Sequence, residues 1–488
     1  MSACLYQACE LARILDLPEE VCVDVTGISI DSRSLAPGDL FIALKGDDPR
    51  YHGAGGGGRD GHEFVAAAAS AGAAAALVSR PTGAELPELL VADPLLALWA
   101  LARAARARLA PRARVFAITG SSGKTTARGM ITAGLEASLA RVHASLGSLN
   151  NHLGVPLSLA RTPADADAAV FEIGTNSHGE IEPLSDLVRP HVSILLNVLP
   201  VHLEGLGDLA GVRREKLCIA SGLDKEGLLV LHEAVAPPEA PEFEILTFGR
   251  GPDADVRLLV GPSGEEDRIR LPGAFESAIQ GTDQAGLQTT LHSTGSGTRS
   301  APVEIATPKL AEGPHRRLTA CAVLAAIHGA GLNVARAAPH VAGVAPDVGR
   351  GKITTHSGVR IIDDAYNANP ESMRQALLEM TEHAGTRRVA LLGDMLELGA
   401  SSRSLHMGLA DACASVDQVF AVGNEIRPLF DALPGHLRGN WWPDCEALDL
   451  DAVLAAAPAG SVILVKGSNR LFWLHDTVAA LAQALTER

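Results

Sequence analysis

The segment from Val115 to Ala137, VFAITGSSGKTTARGMITAGLEA, limits the possible folds more than any other stretch of the chain. An apolar run of strand length meets a glycine-rich turn, and the turn meets a helix-forming pattern. That order aims backbone N–H groups and a helix N-terminus at one point, an arrangement that surrounds phosphate oxygens. Gly120 and Gly123 permit close approach to the backbone, with Ser121 and Ser122 between them. Lys124 supplies a cation for the β and γ phosphates, and Thr125, followed by Thr126, offers a hydroxyl to a nucleotide-borne magnesium ion. The plain alternative is a tight strand-to-helix turn with a chance lysine, but the strand and helix on either side favour a phosphate loop. The GxxxxGK[ST] count fails because Ile118 stands at the first glycine position. A guanine-reading NKxD element is absent as well, which argues against a switch GTPase.

The runs AAVFEIG, HVSILLNV and EGLLVLH are each short enough for a buried parallel strand, so residues 91–340 read as a doubly wound parallel sheet around the phosphate loop. Residues 1–90 open with a helix-like segment and contain DSRSLAPGDLFIALKG at 31–46. A glycine-rich loop from Asp47 to Gly61 follows, then EFVAAAASAGAAAALV, which reads as a helix and a buried strand. In residues 341–488 the runs VRIIDD, RRVALLGD, DQVFAVG and SVILVKG alternate with helices expected after Ser372, Ser401 and Asn424 and at the terminus. That alternation predicts a Rossmann-like domain, yet GxGxxG is missing and dinucleotide binding is not supported. Residues 251–305, rich in Gly, Ser, Thr and Asp, read as a surface excursion with small strands. The expected fold is α/β in three domains: a small N-terminal α/β domain, a central P-loop domain and a C-terminal Rossmann-like domain.

Charge and cysteine usage narrow the function. With 41 Lys+Arg against 57 Asp+Glu, a net charge of -16 opposes binding to nucleic acid or anionic membranes, because no counterion release would drive it. Seven scattered cysteines without a CxxC pair indicate neither a disulfide framework nor a zinc ribbon, and they fit a reducing cytoplasm. The first residues, MSACLYQACELARILDL, are interrupted by Glu10, Arg13 and Asp16, unlike a signal peptide. No apolar stretch reaches the roughly 18 residues needed to span a bilayer. A cytoplasmic monomer without integral membrane association is expected.

Six further strings follow one order along the chain: NNHLGVPLSLAR at 150–161, FEIGTNSHGEIEPL at 171–184, LNVLPVHLEG at 196–205, IIDDAYNANPESM at 361–373, LLGDMLELG at 391–399 and VKGS at 465–468. With TGSSGKTT they resemble the Mur ligase superfamily, the ATP-dependent amide-forming enzymes of peptidoglycan precursor synthesis. The likeness is greatest to the branch that adds D-alanyl-D-alanine to UDP-N-acetylmuramoyl-tripeptide. It implies that ATP phosphorylates a substrate carboxylate and that the incoming amine displaces phosphate from the acyl phosphate. A sister ligase adding a single amino acid, a folylpolyglutamate-synthase-like enzyme and a nucleotide-dependent scaffold are the competing readings. NNHLGVP and DDAYNANP favour the dipeptide-adding type.

The resemblance also implies roles for individual residues. Glu172 closes an apolar run; position alone suits a surface charge, whereas the resemblance makes it a magnesium ligand with Thr125. His202, otherwise a loop or packing residue, is implied at a second magnesium. Lys216 reads alone as a solvated helix lysine beside Arg213 and Arg214. By resemblance it is N-carboxylated by CO2 and binds the second metal, so Lys124, His202 and Lys216 form the implied catalytic set. Asn150 and Asn151 are implied at the sugar and acceptor carboxylate, Arg350 and Asp364 at the nucleotide, and Tyr366, Asn367, Asn369 and Lys466 on the dipeptide side. An ordinary polar loop or capped turn has the same composition. Asn176, His178 and Glu180 resemble a substrate-facing turn, and Asp394, Glu397 and His406 either shape the cleft or serve the fold. Ser32, Arg33, Lys45 and Gly46 suit uracil and diphosphate acceptors. Arg316, Thr319 and Ser148 depart from the family pattern, standing where asparagines are common.

Overall fold

The computed structural model describes residues 4–45, 59–261, 267–272, 303–307, 313–383 and 385–487. Gly46, the glycine run Gly55 to Gly58 and residues 273–302 lie outside the described residues. Three sheets carry the chain. The first is all parallel in the order β1 (Gly27–Ser29), β2 (Asp39–Ile42), β3 (Ala75–Val78) and β4 (Glu88–Leu90). Helix Val65–Ser70 covers one face of it, packing Val65 and Ala68 against Phe41, Ala76 and Val78.

The central sheet has nine strands: β5 (Arg114–Thr119), β6 (Val142–Ala144), β7 (Ala168–Glu172), β8 (Val192–Leu195), β9 (Leu228–His232), β10 (Glu244–Gly249), β11 (Val256–Leu259), β12 (Asp267–Leu271) and β13 (Val303–Thr307). They lie in the order β13-β12-β11-β10-β9-β8-β5-β7-β6. Pairing is parallel from β6 to β11 and antiparallel at β11–β12 and β12–β13. The described parts of 251–305 are therefore small strands that extend this sheet's edge.

Alternation along β5 splits the core in two. Phe116 and Ile118 face helices Lys124–Glu136, Pro314–Gly329 and Val334–Ala342, where Met130, Leu324 and Val341 meet them. Gly134 lets two of these helices approach closely, since a Cβ there would lie 2.6 Å from Ile327 Cδ1. Val115 and Ala117 point the other way, into a core shared with the N-terminal sheet. That core runs through Leu98 and Leu101 of helix Pro94–Arg108 and Leu157 and Leu159 of helix Gly154–Ala160 to Leu40, Ile42 and Leu77. Asp93 caps the first of these helices, accepting from the Leu95 N–H at 2.8 Å. Polar contacts pin the same layer: the Tyr6 hydroxyl donates to Ala160 O (2.7 Å), Arg161 Nε to Ile28 O (2.6 Å) and Arg108 Nη1 to Leu5 O (2.8 Å).

The third sheet runs β14 (Lys352–His356), β15 (Val359–Asp364), β19 (Val462–Lys466), β16 (Arg388–Gly393), β17 (Gln418–Val422) and β18 (Arg438–Trp442) in space, with only β14 antiparallel. Apolar layers cover both faces, which explains the continuous hydrophobic runs. The helix expected after Ser372 starts earlier, at Pro370, because Asn369 and Ser372 form a capping box. Among the described residues no helix is long and apolar enough to cross a membrane.

Candidate active site

The carboxyl ends of three adjacent strands, β8, β5 and β7, build one wall of a cleft of about 1750 Å³. Open parallel sheets collect ligands at such an edge. After β5 the chain turns through Gly120–Gly123 into helix Lys124–Glu136, and Gly123, at φ +82°, takes a left-handed conformation that suits glycine. Asn197, which follows β8, fixes this turn: its Oδ1 accepts from the Ser122 N–H (3.0 Å) and its Nδ2 donates to Ser122 O (3.2 Å). The Ser121 hydroxyl donates to Leu199 O at 3.1 Å. Lys124 Nζ donates to Gly120 O at 2.9 Å. Burial holds its ammonium below the ordinary range, with Glu172 opposing that effect and Arg350 adding to it.

Glu172, the last residue of β7, is buried and fully engaged. Its Oε2 accepts from the Thr125 hydroxyl (2.9 Å) and its Oε1 from Asn150 Nδ2 (2.7 Å). The surface-charge alternative therefore fails. Together these groups present hard oxygens beside a helix N-terminus. Thr126 also lines the cleft.

The opposite wall is the carboxyl edge of the third sheet. Asp364 ends β15 and Lys466 ends β19, and the register pairs them, so Lys466 Nζ donates to Asp364 Oδ2 and also, at 3.2 Å, to Asn367 O. Burial raises the Asp364 pKa, and the Lys466 charge works against the rise. The Arg350 guanidinium lies 3.9 Å from the Tyr366 ring centroid, and Trp473 meets the other side of that ring at 5.4 Å and 71°. Asn367 and Asn369 line the cleft as well, although the Asn369 side chain is occupied in capping its helix.

Two contacts cross between the walls. Arg350 Nη2 donates to Ser148 Oγ at 3.0 Å, and His202 Nδ1 meets Glu397 Oε2. The departing Ser148 thus has a partner of its own. Arg316 is tied to Val344 O (2.6 Å), and the Thr319 hydroxyl donates to His315 O (2.9 Å).

Other expected residues stand elsewhere. Lys216 is buried in helix Leu209–Leu217, so it is not a solvated helix lysine, yet it does not itself line the cleft. Burial pushes its ammonium well down, the neighbouring Lys124 charge adds to this, and Glu215 opposes it. Asn151 caps helix Gly154–Ala160, accepting from the Leu153 and Gly154 N–H groups at 3.2 and 3.0 Å. Ser32, Arg33 and Lys45 are not among the cleft residues, and Arg33 pairs with Asp31 at 2.7 Å on the exposed surface. Asn176 lines the cleft, whereas His178 lies 3.8 Å from Glu215 and Glu180 accepts from the Asn176 N–H at 2.8 Å. Asp394 accepts from the Ile426 N–H (2.8 Å) and His406 Nε2 from the Met395 N–H (3.0 Å); both brace the loop after β16, and of that group Glu397 alone faces the cleft. Asn197, Glu379 and Trp473 carried no sequence signal beyond their residue types.

Residues 118–258 match the Mur ligase middle domain, and residues 349–469 match the Mur ligase, glutamate ligase domain. The chain is 33% identical over 471 residues to UDP-N-acetylmuramoyl-tripeptide--D-alanyl-D-alanine ligase of Escherichia coli (strain K12), covering 94% of each. It is 34% identical over 458 residues to the Bacillus subtilis (strain 168) protein of that name, covering 91% of each. The crystal structure of MurF from Acinetobacter baumannii aligns with TM-score 0.76 and 27% identity over 98% of this chain and 99% of that one.

Proposed function

The chain belongs to the Mur ligase family, and on that premise we propose that it is an ATP-dependent ligase joining D-alanyl-D-alanine to UDP-N-acetylmuramoyl-tripeptide in peptidoglycan precursor synthesis. The observation that carries this reading is the cleft itself: a phosphate loop on one parallel-sheet edge faces an Asp364–Lys466 pair on another. Such a site brings a nucleotide and two further reactants together.

The terminal carboxylate of the tripeptide attacks the γ-phosphorus of ATP, giving an acyl phosphate and ADP. The dipeptide amine then adds to the acyl carbon, phosphate leaves, and the amine proton is lost as the amide forms. Repulsion among anionic oxygens opposes the first step. Backbone N–H groups of Gly120–Gly123, with Ser121, Ser122 and Thr126, cradle the phosphates, and Lys124 and Arg350 oppose their charge. Asp364 accepts from the ribose hydroxyls. Magnesium neutralises phosphate charge when bound.

The donor set fits that ion. Thr125 and Glu172 offer hard oxygens already brought together, at 2.9 Å. Among the described residues no cluster of three His, Cys, Asp or Glu side chains forms a complete cage, which suits an ion shared with nucleotide phosphates. His202 and Lys216 would hold a second ion, Lys216 as an N-carboxylated side chain. Burial favours the neutral amine that reacts with CO2, which supports this modification.

Residues 1–90 form the UDP-sugar domain in this reading, with Ser32, Arg33 and Lys45 as contacts. Residues 91–340 form the ATP domain, and residues 341–488 bind the dipeptide through Tyr366, Asn367, Asn369 and Lys466. Asn150 faces the acceptor carboxylate, and Asn151 fixes the turn that presents it. The enzyme works as a cytoplasmic monomer. Purified protein with ATP and magnesium is expected to release phosphate and form the UDP-pentapeptide only when tripeptide precursor and D-alanyl-D-alanine are both present. Turnover with free amino acids and none with dipeptide would select a sister ligase instead.

A further inference from the structure

We propose that Glu397 is a positioning residue for His202: the C-terminal unit reaches across the cleft to fix the imidazole's tautomer and direction, so this histidine is organised only when the two units are together. The proposal rests on the reading of His202 as a cleft-side ligand and deepens it.

Four observations meet at this contact. His202 Nδ1 and Glu397 Oε2 are hydrogen-bond partners although 195 residues separate them, one following β8 and the other β16. Beside them the Glu204 N–H donates to Glu397 O at 3.4 Å. Gly399 also seats against Glu204, where a Cβ would lie 3.4 Å from Glu204 Cγ. Finally, both residues hold left-handed backbone, His202 at φ 52° and Glu397 at φ 62°. Such conformations are unfavourable for non-glycine residues and collect where the surroundings over-determine them.

The chemistry follows from the acceptor. An ionised carboxylate only accepts, so the imidazole must carry its proton on Nδ1, leaving the Nε2 lone pair for a ligand. Metal-binding histidines are commonly oriented by a carboxylate in this manner. A mere exposed ion pair contributes about 0–1 kcal/mol and has no need to select a tautomer.

The test uses the full chain with 15N-labelled histidine and two-bond proton–nitrogen correlation, the His202 signal being assigned by its loss in His202→Ala. The wild type is expected to show the Nδ1–H tautomer. Glu397→Ala should shift the ring toward Nε2–H, and Glu397→Gln, whose amide oxygen still accepts, should keep Nδ1–H. With ADP present, Mn2+ affinity read by electron paramagnetic resonance should fall about 10- to 100-fold in Glu397→Ala and recover in Glu397→Gln. An unchanged tautomer in Glu397→Ala overturns the proposal. Unchanged Mn2+ binding in His202→Ala would instead overturn the ligand role on which the affinity measurement depends, while the tautomer still decides the Glu397 contact.

Discussion

Replacing Glu379 by glutamine keeps the shape of a half-buried carboxyl while removing its charge. Glu379 ends helix Pro370–Glu379 at the cleft, packed so tightly on Gly313 that a Cβ there would lie 2.9 Å from Glu379 Oε1. Burial pushes its pKa from the ordinary 4.5 to about 7; Asp364 and Glu382 add to the rise, and Lys466 and Arg317 oppose it. The native state therefore binds more protons than the unfolded chain between those two values. Stability is fully present below the unfolded value and is lost as pH rises through the folded one. At about 1.4 kcal/mol per pH unit, ionisation costs about 3 kcal/mol above pH 7. Glu379→Gln should melt with the wild type at pH 4.5 and above it at pH 8.5. At about 3 °C per kcal/mol for a unit of this size, the gain is about 9 °C in the C-terminal transition. Thermal scans at four pH values measure it. A constant difference across the range, or a wild type that is the more stable protein at pH 8.5, would refute the reasoning.

Lys124→Ala should slow pentapeptide formation by about two to three orders of magnitude, the scale set by loss of a preorganised group at developing charge; turnover at the wild-type rate would remove Lys124 from the site. Lys216→Ala should lose activity and regain part of it when short carboxylates are added, and a loss they cannot restore would leave carboxylation without support. Tyr6→Phe leaves Ala160 O without its hydroxyl donor and should destabilise the N-terminal part of the fold by about 1 kcal/mol, read as an earlier first transition in urea.

Much of this molecule was legible in the chain because its determinants are local. The phosphate loop depends on strand, glycine and helix signals within 23 consecutive residues, and β7, β8 and β9 appear where short apolar runs stand. β18 was missed, since Arg438–Trp442 alternates charge, glycine and tryptophan and is only partly covered. β14 was missed for a like reason, being polar and exposed at an antiparallel edge. In the site, Glu172 and Thr125 came from motif context, but the groups that hold them did not. Asn197 is one amide after a strand, and its bonds to Ser122 exist only because β8 and β5 are neighbours in space. Asn151 and Asn369 show the reverse error: both belong to conspicuous strings, yet their side chains cap helices. Lys216 looked exposed because Arg213 and Arg214 precede it, whereas the helix turns it inward.

The apolar layer that joins the first sheet to the central one has a practical corollary. Residues 1–90 do not behave as an exchangeable cassette, because Leu40, Ile42 and Leu77 share their neighbours with Leu98, Leu101, Leu157 and Leu159. A chimera taking this segment from a relative would need to import the opposing helix faces too, or it would present mismatched oily surfaces to water and aggregate. Relative movement is thus reserved for the other end of the chain.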